Sequence, residues 1–325
     1  TLLAMVVGGN KFLKDWGFET VIFSLLIGLF ISNIFYIPKW LKESLSSELF
    51  VKIGLVLLGT TVLFDDLLKA GALGLIQSCV VVFTVWNFCF WFCRKMKIDK
   101  EMSLMLSSAV SICGVSAAVA TAGAIKGDKT KLSYVVSLVL VVAVPMILIM
   151  PGLAKLMGLP EDMAGAWIGG TIDTTGAVAA TGAIYGEVAL QTSTIVKFSQ
   201  NVLLGVAAFL ISIYWSYSKK EVTEEKPTLK VIWLRFPKFV LGFVAASLVF
   251  SFCVAPEVVS DAKPILKNIQ GMWFALAFMS IGLETDFKSL ITSENRRSTY
   301  AFLGAQAFNV VFTLFVAWIL FGLIA

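Results

Sequence analysis

The chain has 325 residues, of which 58% are hydrophobic and 14% are charged. Soluble domains usually carry about 25% charged residues. The composition therefore excludes a soluble protein and indicates an integral membrane protein, with room for roughly ten or eleven helices of about 20 residues. Long continuous apolar runs favour helices over a barrel, whose strands alternate in short segments of about 10 residues.

The residues that are missing exclude several classes of function. The sequence has no histidine, which removes Ser-His-Asp catalysis and most transition-metal sites. There is no phosphate-binding loop of the GxxxxGK[ST] type. With a net charge of only +5 and basic residues in loops, nucleic acid is not an expected partner. We therefore expect no enzyme, no metal and no cofactor.

The apolar segments predict an all-α polytopic membrane protein with about 11 transmembrane helices. Residues 1–8 resemble the tail of a truncated first helix, so we expect the natural chain to begin earlier. The complete segments then follow at 18–37, 47–68, 71–93, 101–125, 132–151, 162–185, 191–216, 236–254, 264–288 and 298–324.

The basic residues between these segments predict an orientation. If every segment spans, one set of alternating loops holds sixteen Lys and Arg residues and the other holds eight. Cytoplasmic loops carry the excess of Lys and Arg. We therefore expect the protein in the cell (inner) membrane, with the first set of loops in the cytoplasm. The C-terminus is then predicted outside.

Weak internal similarity predicts a repeat. The sequence VKIGLVLLG at Val51–Gly59 resembles VKFSQNVLLG at Val196–Gly205, and SICG at Ser111–Gly114 resembles SIG at Ser280–Gly282. The members of each pair lie five segments apart and would run in opposite directions. Two inverted five-helix repeats, 18–152 and 160–324, would explain this, and inverted repeats are typical of transporters. Chance similarity among apolar helices is the alternative.

Two of these motifs predict broken helices that cross. Ser111, Ile112, Cys113 and Gly114 lie in a segment rich in Ser, Gly and Ala, where glycine loosens the backbone and hydroxyls can satisfy freed carbonyls. Ser280, Ile281 and Gly282 are the matching break in the second repeat. A broken helix presents a half-helix N-terminus at mid-membrane, which favours an anion. Close packing of small residues is the alternative.

An acid in the middle of the segment 162–185 is the predicted site of the coupling ion. Asp173 is surrounded by Thr171, Thr174 and Thr175. A carboxylate at that depth is costly unless it faces a cavity or a partner, so intramembrane ionisable groups are functional by default. The threonines could donate to a ligand or accept from a cation. A purely structural, hydrogen-bonded aspartate is the alternative.

A lysine inside the segment 191–216 adds positive charge. Lys197 could attract an anion, neutralise Asp173, or extend its side chain to the membrane surface, as could Lys52 at the equivalent depth. Gln200 and Asn201 follow on the same segment and add neutral hydrogen-bonding capacity.

Five motifs together carry a resemblance to a known family: GLVLLGTTVLF (54–64), SICGVSAAVATAGAI (111–125), GGTIDTTGAVAATGAIYG (169–186), VKFSQNVLLG (196–205) and AFMSIGLETDF (277–287). The chain resembles the YeiH-like family, whose members are labelled sulfate exporters. That resemblance implies a transporter more firmly than it implies sulfate. Many members have a histidine where this chain has Ile172, which argues against proton coupling through a histidine. The plan also resembles the fold of bile-acid sodium symporters and sodium/proton antiporters.

These observations together predict a secondary active transporter that works by alternating access. Its substrate would be a small anion, either sulfate or an organic sulfonate or carboxylate. The half-helix ends would bind the anion, and Asp173 would bind the coupling proton or sodium. The alternative is a cation/proton antiporter on the same fold, with Asp173 as the cation ligand. Membrane lipid is an expected partner, and a homodimer is an expected assembly.

Overall fold

A computed structural model describes residues 20–35, 38, 46–62, 64–219, 233, 236–284 and 296–324. Among these residues there are helices and turns and no strand. The all-α prediction is confirmed for this part of the chain. The predicted truncated helix at residues 1–8 lies outside the described residues.

The helices are numbered in chain order. In the described residues they are α1 (Thr20–Ile34), α2 (Ser47–Gly59), α3 (Phe64–Lys95), α4 (Lys100–Ser108), α5 (Val115–Ile125), α6 (Lys129–Leu156), α7 (Glu161–Thr171), α8 (Thr175–Tyr185), α9 (Glu187–Lys219), α10 (Phe239–Leu248), α11 (Pro256–Glu284) and α12 (Arg296–Ala317). Short π-helical turns extend three of them: Ala109–Cys113 after α4, Val249–Cys253 after α10 and Trp318–Ile324 after α12.

Four helices are long and apolar enough to cross a membrane, by length and composition, within the described residues: α3, α6, α9 and α12 with its π-helical extension. Their outward faces carry large exposed apolar side chains such as Phe83 and Val311. In water such a surface would be unfavourable, whereas lipid solvates it. The chain is a membrane protein.

The segment 101–125, predicted to span, instead folds back on itself. Helix α4 with its π turn has 14 residues and α5 has 11, so neither arm is long enough to cross alone. The ends of the two arms meet: Lys131 Nζ lies 2.7 Å from Asp99 Oδ1 and 3.0 Å from Glu101 Oε2, and the Asp128 amide donates to Glu101 Oε1. We call Lys100–Ile125 the first hairpin.

The segment 162–185 also folds back, which is the second correction to the predicted spans. At the open end of α7 and α8, Tyr185 Oη donates to the Leu159 carbonyl at 2.5 Å. Glu161 Oε2 accepts from the Val188 amide at 2.9 Å. The start of α7 therefore lies beside the end of α8. We call Glu161–Tyr185 the second hairpin.

The two hairpins enter from opposite sides of the protein. Helix α6 begins at Lys129, beside the open end of the first hairpin, and ends at Leu156, just before the second. Because α6 is long enough to span, the two open ends lie on opposite sides of the membrane. We call the side of Asp99 and Lys131 the first side and the side of Glu161 the second side.

Helix α11 contradicts one predicted break. It runs without interruption from Pro256 to Glu284, through Ser280, Ile281 and Gly282. Ser280 Oγ donates to the Leu276 carbonyl within the same helix, at 2.9 Å. A Cβ on Gly282 would stand 2.5 Å from the Leu25 carbonyl oxygen of α1, so this glycine allows two helices to pack closely and does not break one.

The predicted crossing of two broken spans is therefore replaced by the meeting of two hairpins that lie close together in sequence. The predicted repeats, 18–152 and 160–324, and the total of eleven helices stay predictions. Among the described residues, two helices hold the hairpins in place. Helix α9 packs against α7, α8 and α5, and α12 packs against α7 and the π turn Ala109–Cys113.

Candidate functional site: the tips of two re-entrant hairpins

The tip of the first hairpin is formed by Gly114. Its φ of +58° and ψ of −112° belong to a region that residues with a Cβ rarely adopt. The π turn Ala109–Cys113 ends there and α5 begins at the next residue. The predicted interruption at Ser111–Gly114 is therefore confirmed, and glycine is the cause of the reversal.

The tip of the second hairpin is the segment Ile172–Thr174. Ile172 is extended, with a ψ of 133°, so α7 stops at Thr171. Thr174 caps the next helix: its Oγ1 accepts from the Ala177 amide at 3.2 Å. Gly169, one turn before the break, lets α7 approach α9, because a Cβ there would stand 2.4 Å from the Ser193 carbonyl oxygen.

The two tips meet inside the protein. A Cβ on Gly114 would lie 3.2 Å from the Asp173 Cβ and 3.3 Å from the Thr174 Cγ2. The N-terminal ends of α5 and α8 therefore converge from opposite sides of the membrane. Their first amides have no partner within the helix, and both helix dipoles place positive charge at the meeting point.

A buried lysine joins the two hairpins. Lys197 is 1% exposed, and its Nζ donates to the Ile112 carbonyl at 2.5 Å, to the Ile172 carbonyl at 2.8 Å and to Gln200 Oε1 at 2.9 Å. Gln200 Nε2 in turn donates to the Gly170 carbonyl at 3.0 Å. The alternative in which Lys197 extends to the membrane surface is wrong: its ammonium satisfies carbonyls that the two breaks leave free.

Two amides of α12 perform the same task from another direction, and sequence reasoning missed both. Gln306 Nε2 donates to the Thr171 carbonyl at 3.0 Å. Asn309 Nδ2 donates to the Thr171 carbonyl at 3.1 Å and to the Val110 carbonyl at 3.2 Å. Their spacing of three residues puts them on one face of an apolar helix, and that signal could have identified them.

Asp173 is shielded from lipid, as predicted, since it is 1% exposed. The hydrogen bonds of the alternative, a purely structural aspartate, are not formed: within the described residues, neither carboxylate oxygen has a partner. The Lys197 ammonium is engaged one residue away, at the Ile172 carbonyl. The acid therefore lies in the site without a direct ligand.

A cavity of about 740 Å³ ends at the two tips. Its inner end is lined by Cys113, Val115 and Ser116 of the first hairpin, by Thr174, Thr175 and Gly176 of the second, and by Asn201 of α9. Its walls are apolar, with Leu140, Ala143, Ile147 and Leu204 among them. The cavity therefore has apolar walls and ends at the N-termini of α5 and α8.

The mouth of the cavity lies on the first side. It is lined by Ser47 and Glu48 at the start of α2 and by residues 236–239 at the start of α10. The far ends of these two helices meet at the start of α3, where Ser247 Oγ donates to the Val62 carbonyl at 2.7 Å. Since α3 crosses and ends beside the first hairpin, the starts of α2 and α10 face the first side, although both helices are too short to cross alone.

The predicted site residues fall into three groups. Cys113, Gly114, Thr174 and Thr175 lie at the tips beside the cavity, and Ile281 of α11 also lines it. Ser111, Ile112, Thr171, Asp173 and Lys197 are buried next to them. Ser280 bonds within α11, and Gly282 packs against α1.

The open end of the first hairpin is held by charge outside the membrane segments. Burial alone would raise the pKa of Asp99, but the hydrogen bonds from Lys131 and from the Met102 amide hold that pKa below its ordinary value. Asp99 also caps the first turn of α4.

Known proteins similar to this chain are also described as membrane proteins. The model of the family described as Conserved hypothetical protein 698 matches residues 1–301. The chain belongs to this family. It is 39% identical over 332 residues to a UPF0324 membrane protein of Rhodopirellula baltica, which covers 99% of this chain and 61% of that protein.

Other relatives carry the same description. A UPF0324 membrane protein of Nitratidesulfovibrio vulgaris is 38% identical over 337 residues, covering 99% of this chain and 58% of the relative. One of Nitrosomonas europaea is 30% identical, covering 88% of this chain and 67% of the relative. The chain thus spans about three fifths of the length of the first two relatives. No solved structure matches it.

Proposed function

We propose that this membrane protein is a secondary active transporter that carries a small anion by alternating access. The substrate is sulfate or an organic sulfonate or carboxylate, and transport is coupled to protons or sodium. The single observation that carries this proposal is the meeting of two re-entrant hairpins from opposite sides at Gly114 and Asp173, at the inner end of a cavity. Such non-helical backbone is tolerated in a membrane where it lines a binding site.

The electrostatics at the inner end of the cavity favour an anion. Two helix N-termini face it, each equivalent to roughly half a positive charge. Ser116, Thr174 and Thr175 add hydroxyl donors at the same place. Asp173 opposes the anion until a cation neutralises it, which is the basis for coupling the two.

Charge asymmetry supports an orientation with the first side in the cytoplasm of the cell. On the described part of the chain, eleven basic residues lie at helix ends or turns on the first side: Arg94, Lys95, Lys97, Lys100, Lys126, Lys129, Lys131, Lys219, Lys238, Arg296 and Arg297. The second has four: Lys69, Lys155, Lys263 and Lys267. Each of the two hairpins removes one predicted crossing, so the C-terminus stays on the side predicted for it, outside the cell. The cavity then opens toward the cytoplasm.

A cation/proton antiporter is the second candidate, favoured by the buried carboxylate of Asp173, which has no hydrogen-bond partner among the described residues. The experiment that separates the two is flux in proteoliposomes, comparing the full chain with Asp173→Asn. The anion transporter predicts that labelled sulfate or sulfonate still exchanges, but that a proton or sodium gradient no longer drives its accumulation. The antiporter predicts no anion flux in either protein and loss of cation exchange in the variant.

Asp162→Asn is the matched control, because Asp162 is a half-buried acid in the first turn of the same hairpin arm, at its open end and far from the tip. It should behave like the unchanged protein in every assay. An unchanged protein that moves neither anions nor cations would overturn the proposal.

A further inference from the structure

Unpartnered buried oxygens cluster at the carboxyl end of α7. Across the described residues, every buried polar side-chain atom without a hydrogen-bond partner is an oxygen. Asp173 Oδ1 and Oδ2, Thr171 Oγ1 and Gln306 Oε1 are four of them, and their side chains are 96% buried or more. Leaving such groups unsatisfied is unfavourable, and most unfavourable for a charge.

These oxygens belong to one small region. Gln306 holds the Thr171 carbonyl through its Nε2, at 3.0 Å, so the oxygen of the same amide lies beside the end of α7. The Thr171 hydroxyl is on the residue whose carbonyl is held, and Asp173 is two residues further along the tip. Helix packing therefore brings a carboxylate, a hydroxyl and an amide oxygen to one break.

The charge at this break is negative. The carboxyl end of α7 carries roughly half a negative charge from its dipole. On the α12 face, the groups that approach it are the neutral amides of Gln306 and Asn309. The buried cation, Lys197, approaches from α9 and uses its donors on Ile112, Ile172 and Gln200. A positive ion would be stabilised between the tip and α12.

The donor set decides which ion fits. Carboxylate, hydroxyl and amide oxygens are hard ligands, which suit an alkali or alkaline-earth cation rather than a soft metal. The site has one carboxylate, Asp173, and the Lys197 ammonium lies nearby. This small negative charge can hold an ion of charge +1 but not one of charge +2, which favours a monovalent cation. A proton would neutralise Asp173 but would leave Gln306 Oε1 without a donor.

We infer that the carboxyl end of α7 binds a sodium ion through Asp173, Thr171 and Gln306. This inference rests on the proposed function, since it names the coupling ion of that transporter. It adds Gln306 as a ligand that is contributed by α12, outside both hairpins. Sodium would link the second hairpin to α12 while the anion lies on the opposite, N-terminal face of the tips.

The test is sodium binding to the purified full chain in detergent, measured as the rise in melting temperature with sodium concentration at constant ionic strength. Choline chloride replaces sodium chloride as the salt control. A ligand that binds only the folded state raises the melting temperature, and the rise grows with the logarithm of the ligand concentration once that concentration exceeds Kd. We expect a rise with sodium and none with choline.

Two variants locate the site. Thr171→Val removes one ligand oxygen at nearly constant shape and should raise the sodium concentration needed for a given shift at least tenfold. Thr181→Val is the matched control, because Thr181 is equally buried and its hydroxyl bonds the Ala177 carbonyl inside α8. It should leave the sodium dependence unchanged. Gln306→Met, scored by binding of radioactive sodium, serves if Thr171→Val does not fold.

The outcomes separate this inference from the proposed function. Equal effects of sodium and choline, or a sodium response unchanged in both Thr171→Val and Gln306→Met, would overturn the sodium site. Anion flux in proteoliposomes that is driven by a proton gradient and indifferent to sodium would do so too, while leaving the transporter intact. Sodium binding in a protein that moves no anion would instead overturn the anion transporter and keep the site.

Discussion

Gly114 and Asp173 are in contact although they belong to hairpins that enter from opposite sides. A Cβ added to Gly114 would stand 3.2 Å from the Asp173 Cβ. The residue that reverses the first hairpin thus lies against the residue that carries the buried carboxylate of the second. Any change that separates these two residues alters the geometry of the first tip and the surroundings of the Asp173 carboxylate together.

Gly114→Ala should destabilise the protein and stop transport. Alanine disfavours a φ of +58°, and its Cβ would lie 2.7 Å from Val139 Cγ1. Strain of this kind costs about 1–3 kcal/mol. Thermal unfolding in detergent and anion flux in proteoliposomes are the measurements. Gly152→Ala is the control, because a Cβ there meets nothing within 4 Å; equal melting temperatures for the two variants would contradict the prediction.

Lys197→Met should loosen the link between the hairpins. The change keeps the length of the side chain but leaves the Ile112 and Ile172 carbonyls without their shared donor. Each buried acceptor left unsatisfied costs about 1–3 kcal/mol, partly offset because a buried charge is removed. Lys52→Met is the comparison, since the Lys52 side chain is 38% exposed in its pair with Glu48. We expect a lower melting temperature for the first variant only, and the reverse order would refute a bridging role.

Thr175→Cys should react with a charged, membrane-impermeant thiol reagent from the first side, because Thr175 lines the cavity that opens there. Thr181→Cys, in the same helix but 0% exposed, should not react. The unchanged protein gives the background from its own cysteines. Labelling with reagent added to each side of oriented vesicles is the measurement, and preferential labelling from the second side would contradict the described cavity.

Low pH should loosen the open end of the first hairpin, where Asp99 pairs with Lys131. The pKa of Asp99 is lowered in the folded protein, so its ion pair with Lys131 contributes stability that is fully present above the unfolded value, about 3.9. That contribution is lost as the pH falls through the lowered folded value. Hydrogen exchange of the α4 and α5 amides should therefore rise at low pH, and Asp99→Asn should reduce the protection at neutral pH. Protection that is equal in the two proteins at neutral pH would argue against this clamp.

The sequence alone determined that this protein lies in lipid and that one of its apolar segments breaks at Gly114. The apolar composition identified a membrane protein, and the Ser–Ile–Cys–Gly motif correctly marked a break at Gly114. Both properties are local: apolar content acts residue by residue, and a backbone with positive φ needs glycine at that position alone. Asp173 was likewise identified as a shielded acid from its depth in an apolar segment.

Only the tertiary structure decided what happens after each break. An apolar stretch of 25 residues has the same hydropathy whether it spans once or turns back, and the ion pairs of Lys131 with Asp99 and Glu101 distinguish the two. Similar motifs also had opposite outcomes, since Gly114 reverses a chain whereas Gly282 packs α11 against α1. Gln306 and Asn309 acquire a role only because the end of α7 lies beside them. Direction and partnership depend on contacts between residues distant in sequence, which no local pattern specifies.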